Sequence, residues 1–352
     1  MQIVFYVSGH GFGHASRAIE LVRALLTRQP HARVVVRTAA PQRLFGTIGV
    51  THAQAIDVQA VEADTGIVQV DSLRLDEEDT VRQAARFYAT FDWRVAGEAD
   101  LLQRERADVV IGDIPPLAFA AASSAGVPSV AVGNFTWDWI YGGYPAFDRQ
   151  APDVIPQIRR AYSTATRALR LPLHGGFEPM AAVTRDIPFI ARRSARDPAD
   201  TRRALGLDGD RPIVLPSFGA YGADLPIERL RHSDRFTMIE PVQDPPHGLL
   251  YQDLVAAADV VVSKPGYGIV SECIANDTAL LYTSRGRFVE YDVFVEAMPR
   301  VLRCRYIPQE DLLAGRWADA VEALLAQPPP PERPRVDGAD VAADAIINLV
   351  IE

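Results

Sequence analysis

The chain has 352 residues, 48% of them hydrophobic and 23% charged, which is globular rather than disordered and long enough for two domains rather than one core. A formal net charge of −9, with no concentrated stretch of Lys and Arg, argues against a general nucleic-acid binder. Its two cysteines, Cys273 and Cys304, supply neither a disulfide framework nor a CxxC metal pair.

The first predicted unit is strand, glycine loop, helix. Ile3, Val4, Phe5, Tyr6 and Val7 make a continuous apolar run, as in a strand buried on both faces. In the helix that follows, Ala18, Val22 and Leu25 form one stripe, with Ile19 and Leu26 beside it. Further strands are predicted at 34–36, 108–111 and 129–132, with a small-residue helix at 118–125. Strands alternating with helices imply a parallel sheet covered on both faces. Pro172, Gly175, Gly176, Pro179, Pro188 and Pro198 then punctuate the chain, and the domain junction is placed at 188–198. A second series has strands at 213–215, 260–262 and 279–282. Residues 327–334 are Pro-rich and read as extended, and 341–350 read as an amphipathic terminal helix. The expected domains are 1–190, 191–335, and a helix within 336–352 that packs back toward the N-terminal domain.

No basic segment precedes an apolar run at the N-terminus, and no apolar run approaches the roughly 20 residues of a membrane span. With so few cysteines, the expected setting is the reducing cytoplasm. Arg192, Arg193, Arg196, Arg202 and Arg203 alternate with Asp197 and Asp200, which reads equally as a solvated face or a local basic site.

Ligands of open parallel sheets bind beyond the carboxyl ends of strands, so chemistry-bearing residues are sought there. GHGFGH, from Gly9 to His14, follows the first strand and opens a helix whose free amides carry partial positive charge. It is not the dinucleotide fingerprint GxGxxG, because His14 stands at the third glycine position. The second strand also ends at Arg37 rather than at an acidic ribose ligand. The positive end of a helix disfavours an imidazolium, and a neutral imidazole beside a cleft suits a general base. On spacing alone, His14 reads equally as a cap. His10 is taken as an acceptor-side or structural residue.

Asp113, in VVIGDIPP, follows a later strand on the same sheet edge. It can orient His14 as in a His–Asp dyad, or cap the next helix. In KPGYGIVSE, Gly266 and Gly268 permit close backbone approach, amides near Tyr267 and the Ser271 hydroxyl can face phosphates, and Lys264 adds charge. Glu272 can accept hydrogen bonds from a ribose diol. The turn from Ser217 to Gly219 offers a second phosphate-facing loop. The aromatic run FTWDWIYGGY contributes Trp137, Asp138, Trp139 and Tyr141, which, with Phe12, are candidate acceptor contacts; the run reads equally as a packed loop.

These motifs carry a resemblance. Through YVSGHGFGHASRAIE, GDIPPLAF, NFTWDWIY, DIPFIARRSARD and SKPGYGIVSE followed by RGRFVEYDVF, in order, the chain resembles the glycosyltransferase-like N-terminal domain of plant L-arabinokinases and its free-standing bacterial relatives. No glycine- and serine-rich kinase loop follows residue 330, so kinase activity is not implied. The layout is also similar to GT-B transferases: plant secondary-metabolite glucosyltransferases, and the bacterial enzyme that adds N-acetylglucosamine in lipid II synthesis. The first similarity implies a base at His14 paired with Asp113. The second implies that Glu272 holds the donor ribose, that the glycine turn faces the diphosphate, and that an interdomain arginine, Arg192 or Arg193, neutralises it. It also implies that Glu290 and Asp292 contact the donor sugar. The His- and Trp-rich donor signature of the plant enzymes is absent here.

The expected fold is therefore α/β, two Rossmann-like doubly wound domains facing across a cleft (GT-B), acceptor domain first and donor domain second. The expected activity is transfer from a nucleotide sugar, UDP-linked by analogy, to an acceptor hydroxyl, inverting and without metal or cofactor. The acceptor is a small molecule or lipid-linked, the partners include no nucleic acid, and the chain is a monomer or homodimer. The alternatives are a catalytically silent nucleotide-sugar-binding module and a nucleotide-sugar epimerase or hydrolase.

Overall fold

The computed structural model describes residues 1–46, 48, 55–207, 209–219, 222–240, 245–246 and 248–351. They form two compact units. The first comprises Met1–Val68, Asp76–Ile190 and Asp337–Glu352, and the second Gln69–Leu75 and Ala191–Val336.

In the first unit, strands β1 (Gln2–Val7), β2 (Arg33–Thr38), β3 (Ile56–Ala60), β4 (Val109–Asp113), β5 (Ser129–Gly133), β6 (Arg167–Arg170) and β7 (Thr184–Asp186) form one parallel sheet in the order β3-β2-β1-β4-β5-β6-β7. The reversal of direction about β1 is that of a doubly wound sheet. Apolar β1, β4 and β5 lie in the middle and are buried on both faces, as their unbroken apolar runs require. Val7 pairs with Asp113, so the loop after β1 and the end of β4 share one sheet edge.

The second unit repeats the architecture. Strands β8 (Ile213–Ser217), β9 (Thr237–Met238), β10 (Val260–Ser263), β11 (Ala279–Tyr282) and β12 (Cys304–Tyr306) form a parallel sheet in the order β12-β11-β10-β8-β9. Ser263 is in register with both Ser217 and Tyr282, which aligns three strand ends.

One segment departs from the expected division. Residues Gln69–Leu75, assigned by chain position to the first domain, belong to the second unit. The chain leaves the first unit after Val68 and re-enters at Asp76, where the Asp76 amide donates to the Val68 carbonyl at 2.9 Å. Between them it makes a tight turn: Gln69 and Leu75 bridge antiparallel, and Asp71 Oδ1 accepts from the amides of Leu73 at 2.8 Å and Arg74 at 2.9 Å. Leu73 is buried in the second unit's core with Val214, Phe218, Val262 and Leu281, and Ser72 Oγ donates to the Phe218 carbonyl at 2.5 Å. Burying one leucine is worth about 2 kcal/mol, enough to hold a short turn.

The terminal helix, Gly338–Ile351, lies on the first unit, packed against the helix Phe12–Arg28. Ala342, Ala343 and Ile346 are its buried face, and Arg28 reaches across to Asp340 at 2.8 Å and Asp344 at 2.5 Å. The approach is close at its start. The Gly338 amide donates to the Phe189 carbonyl at 2.9 Å, and a Cβ added at Gly338 would lie 2.1 Å from the Pro188 carbonyl oxygen. No described helix is long and apolar enough to cross a membrane.

Because the obstacle at Gly338 is backbone rather than a movable side chain, Gly338→Ala is expected to cost at least about 2 kcal/mol in urea unfolding. It is also expected to increase proteolysis of the terminal helix. A variant as stable as the parent would contradict this packing.

Candidate active site

The first unit builds its cluster at the carboxyl edge of β1, β4 and β5. After β1 the chain turns at Ser8–Gly11, and Gly11, at φ 74°, caps the helix Phe12–Arg28. That φ is in the left-handed region open to glycine. Gly9 is needed for closeness, since a Cβ there would sit 2.8 Å from Ala39 Cβ. The turn delivers His14 into the third helical position, where it is buried.

His14 Nδ1 lies 2.8 Å from Asp113 Oδ1, and Asp113 is wholly buried at the end of β4. The following helix, Pro116–Ala125, starts without a side-chain cap, so Asp113 does not serve as one. A second partner claims the same carboxylate. Arg17 Nε donates to Asp113 Oδ2 at 2.8 Å, its Nη2 donates to Oδ1 at 2.6 Å, and its Nη1 donates to Asn134 Oδ1 at 3.1 Å. Arg17 Nη2 also approaches His14 Nδ1 at 3.2 Å. A carboxylate only accepts and a guanidinium only donates, so His14 and Arg17 are two donors side by side on one acceptor. With Asp113 ionised, its contact with His14 requires a proton on Nδ1. Burial would raise the Asp113 carboxyl, but the charges of Arg17 and His14 and their hydrogen bonds outweigh it and hold it below the ordinary range.

Asp64 is a second buried carboxylate, unforeseen in the sequence. It accepts from Ser8 Oγ at 3.0 Å and from the Trp137 indole at 2.8 Å. Burial pushes it up to about 6, against the hydrogen bond from Ser8, the nearby His14 and the hydrogen bond from Trp137. The aromatic run fastens this loop. Tyr141 OH donates to the Gly66 carbonyl at 2.9 Å and contacts Thr65 Oγ1 at 3.0 Å, and the Ile67 amide donates to His10 Nδ1 at 3.3 Å. The His10 ring meets Trp137 edge-on at 5.7 Å, and His14 meets Phe135 the same way at 5.5 Å. Trp137, Asp138 and Tyr141 are thus buried structural parts, and Asp138 accepts from Arg159 Nε at 3.0 Å. Phe12 and Trp139 are half-buried. Trp139 occupies the space that a side chain at Gly175 would need.

In the second unit the helix Tyr267–Ala275 follows β10 through Lys264 and Gly266, and no side chain caps its start. Among the described residues, a Cβ added at Gly266 would meet nothing within 4 Å, so the space beside this glycine is open. Glu272 is buried and held by Arg192, with Nε and Nη2 both 2.6 Å from Oε1. Arg192 also lies over the Tyr251 ring at 5.1 Å, and Tyr251 OH hydrogen-bonds Ser217 Oγ. Arg193 is exposed, so of the two candidate arginines Arg192 joins the cluster. Ser271 is turned inward and donates to the Gly268 carbonyl at 3.0 Å, which removes its proton from phosphate recognition. Gly219 is exposed at φ 68°, consistent with a glycine-requiring turn after β8. Half-buried Lys264 reaches Gln69 Oε1 at 3.4 Å. Burial and the charge of Arg285 push its amine down to about 6, opposed by Glu290 and Asp71. Glu290 is buried, whereas Asp292 is exposed on the helix Glu290–Val301.

Comparison with known proteins places this geometry. Residues 1–137 match the family described as glycosyl transferase family 1. The chain is 30% identical over 369 residues to L-arabinokinase of Arabidopsis thaliana, across 99% of this chain and 34% of that protein. It is 25% identical over 312 residues to the UDP-N-acetylglucosamine–N-acetylmuramyl-(pentapeptide) pyrophosphoryl-undecaprenol N-acetylglucosamine transferase of Clavibacter michiganensis subsp. michiganensis, across 80% of this chain and 76% of that one. The crystal structure of the kitacinnamycin glycotransferase superposes with a TM-score of 0.63 at 17% identity, covering 99% of this chain and 98% of that one. The chain has the GT-B fold. It spans about a third of the plant arabinokinase it matches.

Arg17, Asn134 and Asp64 in the first unit, and Tyr251 and Gln69 in the second, join these candidate clusters without having been read from the sequence. Arg17 was within reach of such a reading: three positions after His14 on a helix, it shares the same face. Asp64 and Gln69 lie in loops with no motif, and only the folded chain brings them in.

Asp64 gives a pH test. Its folded value, about 6, exceeds its ordinary value of 3.8, so the proton is held more tightly when folded. Its stabilising contribution is complete below about pH 4 and is lost as pH rises through about 6. Asp64→Asn cannot ionise, and its amide can donate to Ser8 while its oxygen accepts from Trp137. Relative to the parent, the variant is expected to gain on the order of 3 kcal/mol between pH 4 and pH 8 in denaturant unfolding. A pH-independent difference would show that Asp64 is not the titrating group.

Proposed function

We propose that this GT-B chain transfers a sugar from a nucleotide-sugar donor, UDP-linked, to an acceptor hydroxyl, with inversion and without a metal ion. One observation carries the reading: His14 Nδ1 lies 2.8 Å from the buried carboxylate of Asp113 at a strand end, a contact that favours the tautomer protonated at Nδ1. In that tautomer Nε2 takes the acceptor's proton as its oxygen attacks the anomeric carbon. The bond from that carbon to the diphosphate breaks, and the diphosphate leaves with the electron pair. Asp113 holds the ring and stabilises the imidazolium that forms.

The second unit is assigned donor binding. The start of the helix Tyr267–Ala275 supplies amides for the leaving diphosphate, and Lys264 supplies a cation. Glu272, already bonded to Arg192 through Oε1, is assigned the ribose hydroxyls, and buried Glu290 the donor sugar. The arginine thereby orients the carboxylate as much as it neutralises phosphate. The UDP-linked donor is supported by the name of the bacterial transferase that the chain resembles.

A second reading has one observation in its favour. Arg17 grips Asp113 through two hydrogen bonds, as a purely structural ion pair would, and a binding module without turnover needs nothing more.

A thermal-shift panel of nucleotides and nucleotide sugars comes first, since a ligand at 100 times its Kd adds about 2.7 kcal/mol of stability. With the donor identified, His14→Ala is expected to lower kcat by roughly 10²- to 10⁴-fold while UDP affinity changes little. Undiminished transfer by the variant would remove His14 from the mechanism. Donor binding by the parent without transfer or hydrolysis above background would leave the silent-module reading standing instead.

A further inference from the structure

Lys264 has a distinction that its motif does not explain: it is the only lysine among the chain's 36 Lys and Arg residues. Elsewhere the chain meets every need for a cation with arginine. Arginine is permanently charged and forked, whereas lysine is compact and able to lose its proton when desolvated. A position that holds the single lysine is a candidate for a task needing both states.

The surroundings of Lys264 fit such a task. It directly follows β10 and precedes the uncapped start of the helix Tyr267–Ala275. The excursion turn Gln69–Leu75 brings Gln69 to 3.4 Å from Nζ, a long contact whose amide oxygen can accept from a neutral amine or an ammonium alike. The charged groups facing it are Arg285 from the segment after β11, Glu290 from the first turn of the helix Glu290–Val301, and Asp71 from the excursion. Asp71 is already engaged by Arg74 Nε at 2.7 Å and by two backbone amides. With Arg285 beside it, an amide rather than a carboxylate as its hydrogen-bond partner and its side chain half-buried, an ammonium at Lys264 is disfavoured in the empty site. A diphosphate at the neighbouring helix end reverses that balance, because its negative charges favour a proton on the amine.

We propose that Lys264 is a proton-linked anion-binding residue, a neutral amine in the empty site that takes up one proton from solvent when a nucleoside diphosphate enters beside it. The proposal rests on the assignment of donor binding to this unit. In the balance, the –NH2 group becomes –NH3⁺ and one hydronium becomes water, with no other bond made or broken. Donor affinity is thereby tied to pH, and release of the diphosphate returns the proton. Burial and Arg285 lowering the amine to about 6 are consistent with the neutral empty form.

The single lysine makes the test direct. In protein labelled with ¹³C-lysine, one Cε resonance reports Lys264 without assignment work. Reading the side chain itself avoids interference from UDP, whose terminal phosphate titrates near pH 6. The expected midpoint is near 6 without ligand and at least one unit higher with saturating UDP, equivalent to at least tenfold tighter UDP binding by the protonated form. A ligand-free midpoint near the ordinary lysine value, about 10, overturns the proposal. UDP that binds and leaves the midpoint unmoved overturns the proton link but not the donor assignment. UDP that fails to bind while pyrophosphate raises the midpoint overturns the nucleotide reading and supports the link, and failure of both anions to bind overturns both. Lys264→Arg, with its permanent charge, is expected to lack the parent's fall in UDP affinity above pH 6, up to about tenfold per unit. If that variant keeps the fall, another group carries the proton.

Discussion

An ionised carboxylate buried in a parallel sheet must be met by opposite charge and by hydrogen bonds, and Asp113 imposes that requirement on the first unit. Arg17 supplies the charge and two of the bonds, and His14 supplies a third. Both come from the helix Phe12–Arg28, one turn apart, so its rotation about its own axis is set by this acid. Arg17 also reaches Asn134, just beyond β5. One cation thus ties together the segments that follow β1, β4 and β5. Stranding such a carboxylate by removing its partner typically costs about 3–5 kcal/mol.

Two buried acids then divide by environment. Asp113 faces a guanidinium and is driven toward its charged form, whereas Asp64 faces a hydroxyl and an indole and is driven toward its neutral form. Pairs of titratable groups whose surroundings push them apart are a recurrent sign of assigned acid and base roles. Here the charged member holds the imidazole. The neutral-leaning member anchors the aromatic segment whose Trp137 and Tyr141 fasten the loop against His10. Those aromatics read from sequence equally as acceptor contacts and as a packed loop. Their burial makes them the frame of the loop, leaving half-buried Phe12 and Trp139 as the more accessible rings.

The second unit follows a related logic with a different outcome. Glu272 is compensated by Arg192, and Ser271 spends its proton on its own helix, so much of the polar capacity of the KPGYGIVSE turn is already in use. At the helix start the donors are backbone amides rather than side chains. Lys264 stands beside it, with a charge state decided by segments distant in sequence, among them a turn 195 positions earlier in the chain.

The alternation of apolar runs with amphipathic stripes was sufficient to read two parallel α/β units, because strand and helix periodicity is a local property of the chain. That reading also placed His14, Asp113, Lys264 and Glu272 after strands, since in a parallel sheet every strand ends on one edge. The partners of those residues were beyond it. Arg17 shares a helical face with His14, but nothing local says that it binds an acid 96 positions away. Asp64 meets Ser8 and Trp137 across 56 and 73 positions from a loop without a motif. Residues 69–75 join the second unit because Leu73 finds its core there, a fact of packing that no periodicity encodes. The GHGFGH loop and the lone lysine were therefore visible as candidates from composition and spacing. Their protonation and pairing were decided by tertiary contacts, because both depend on which charges folding brings within a few ångströms and how much water it removes.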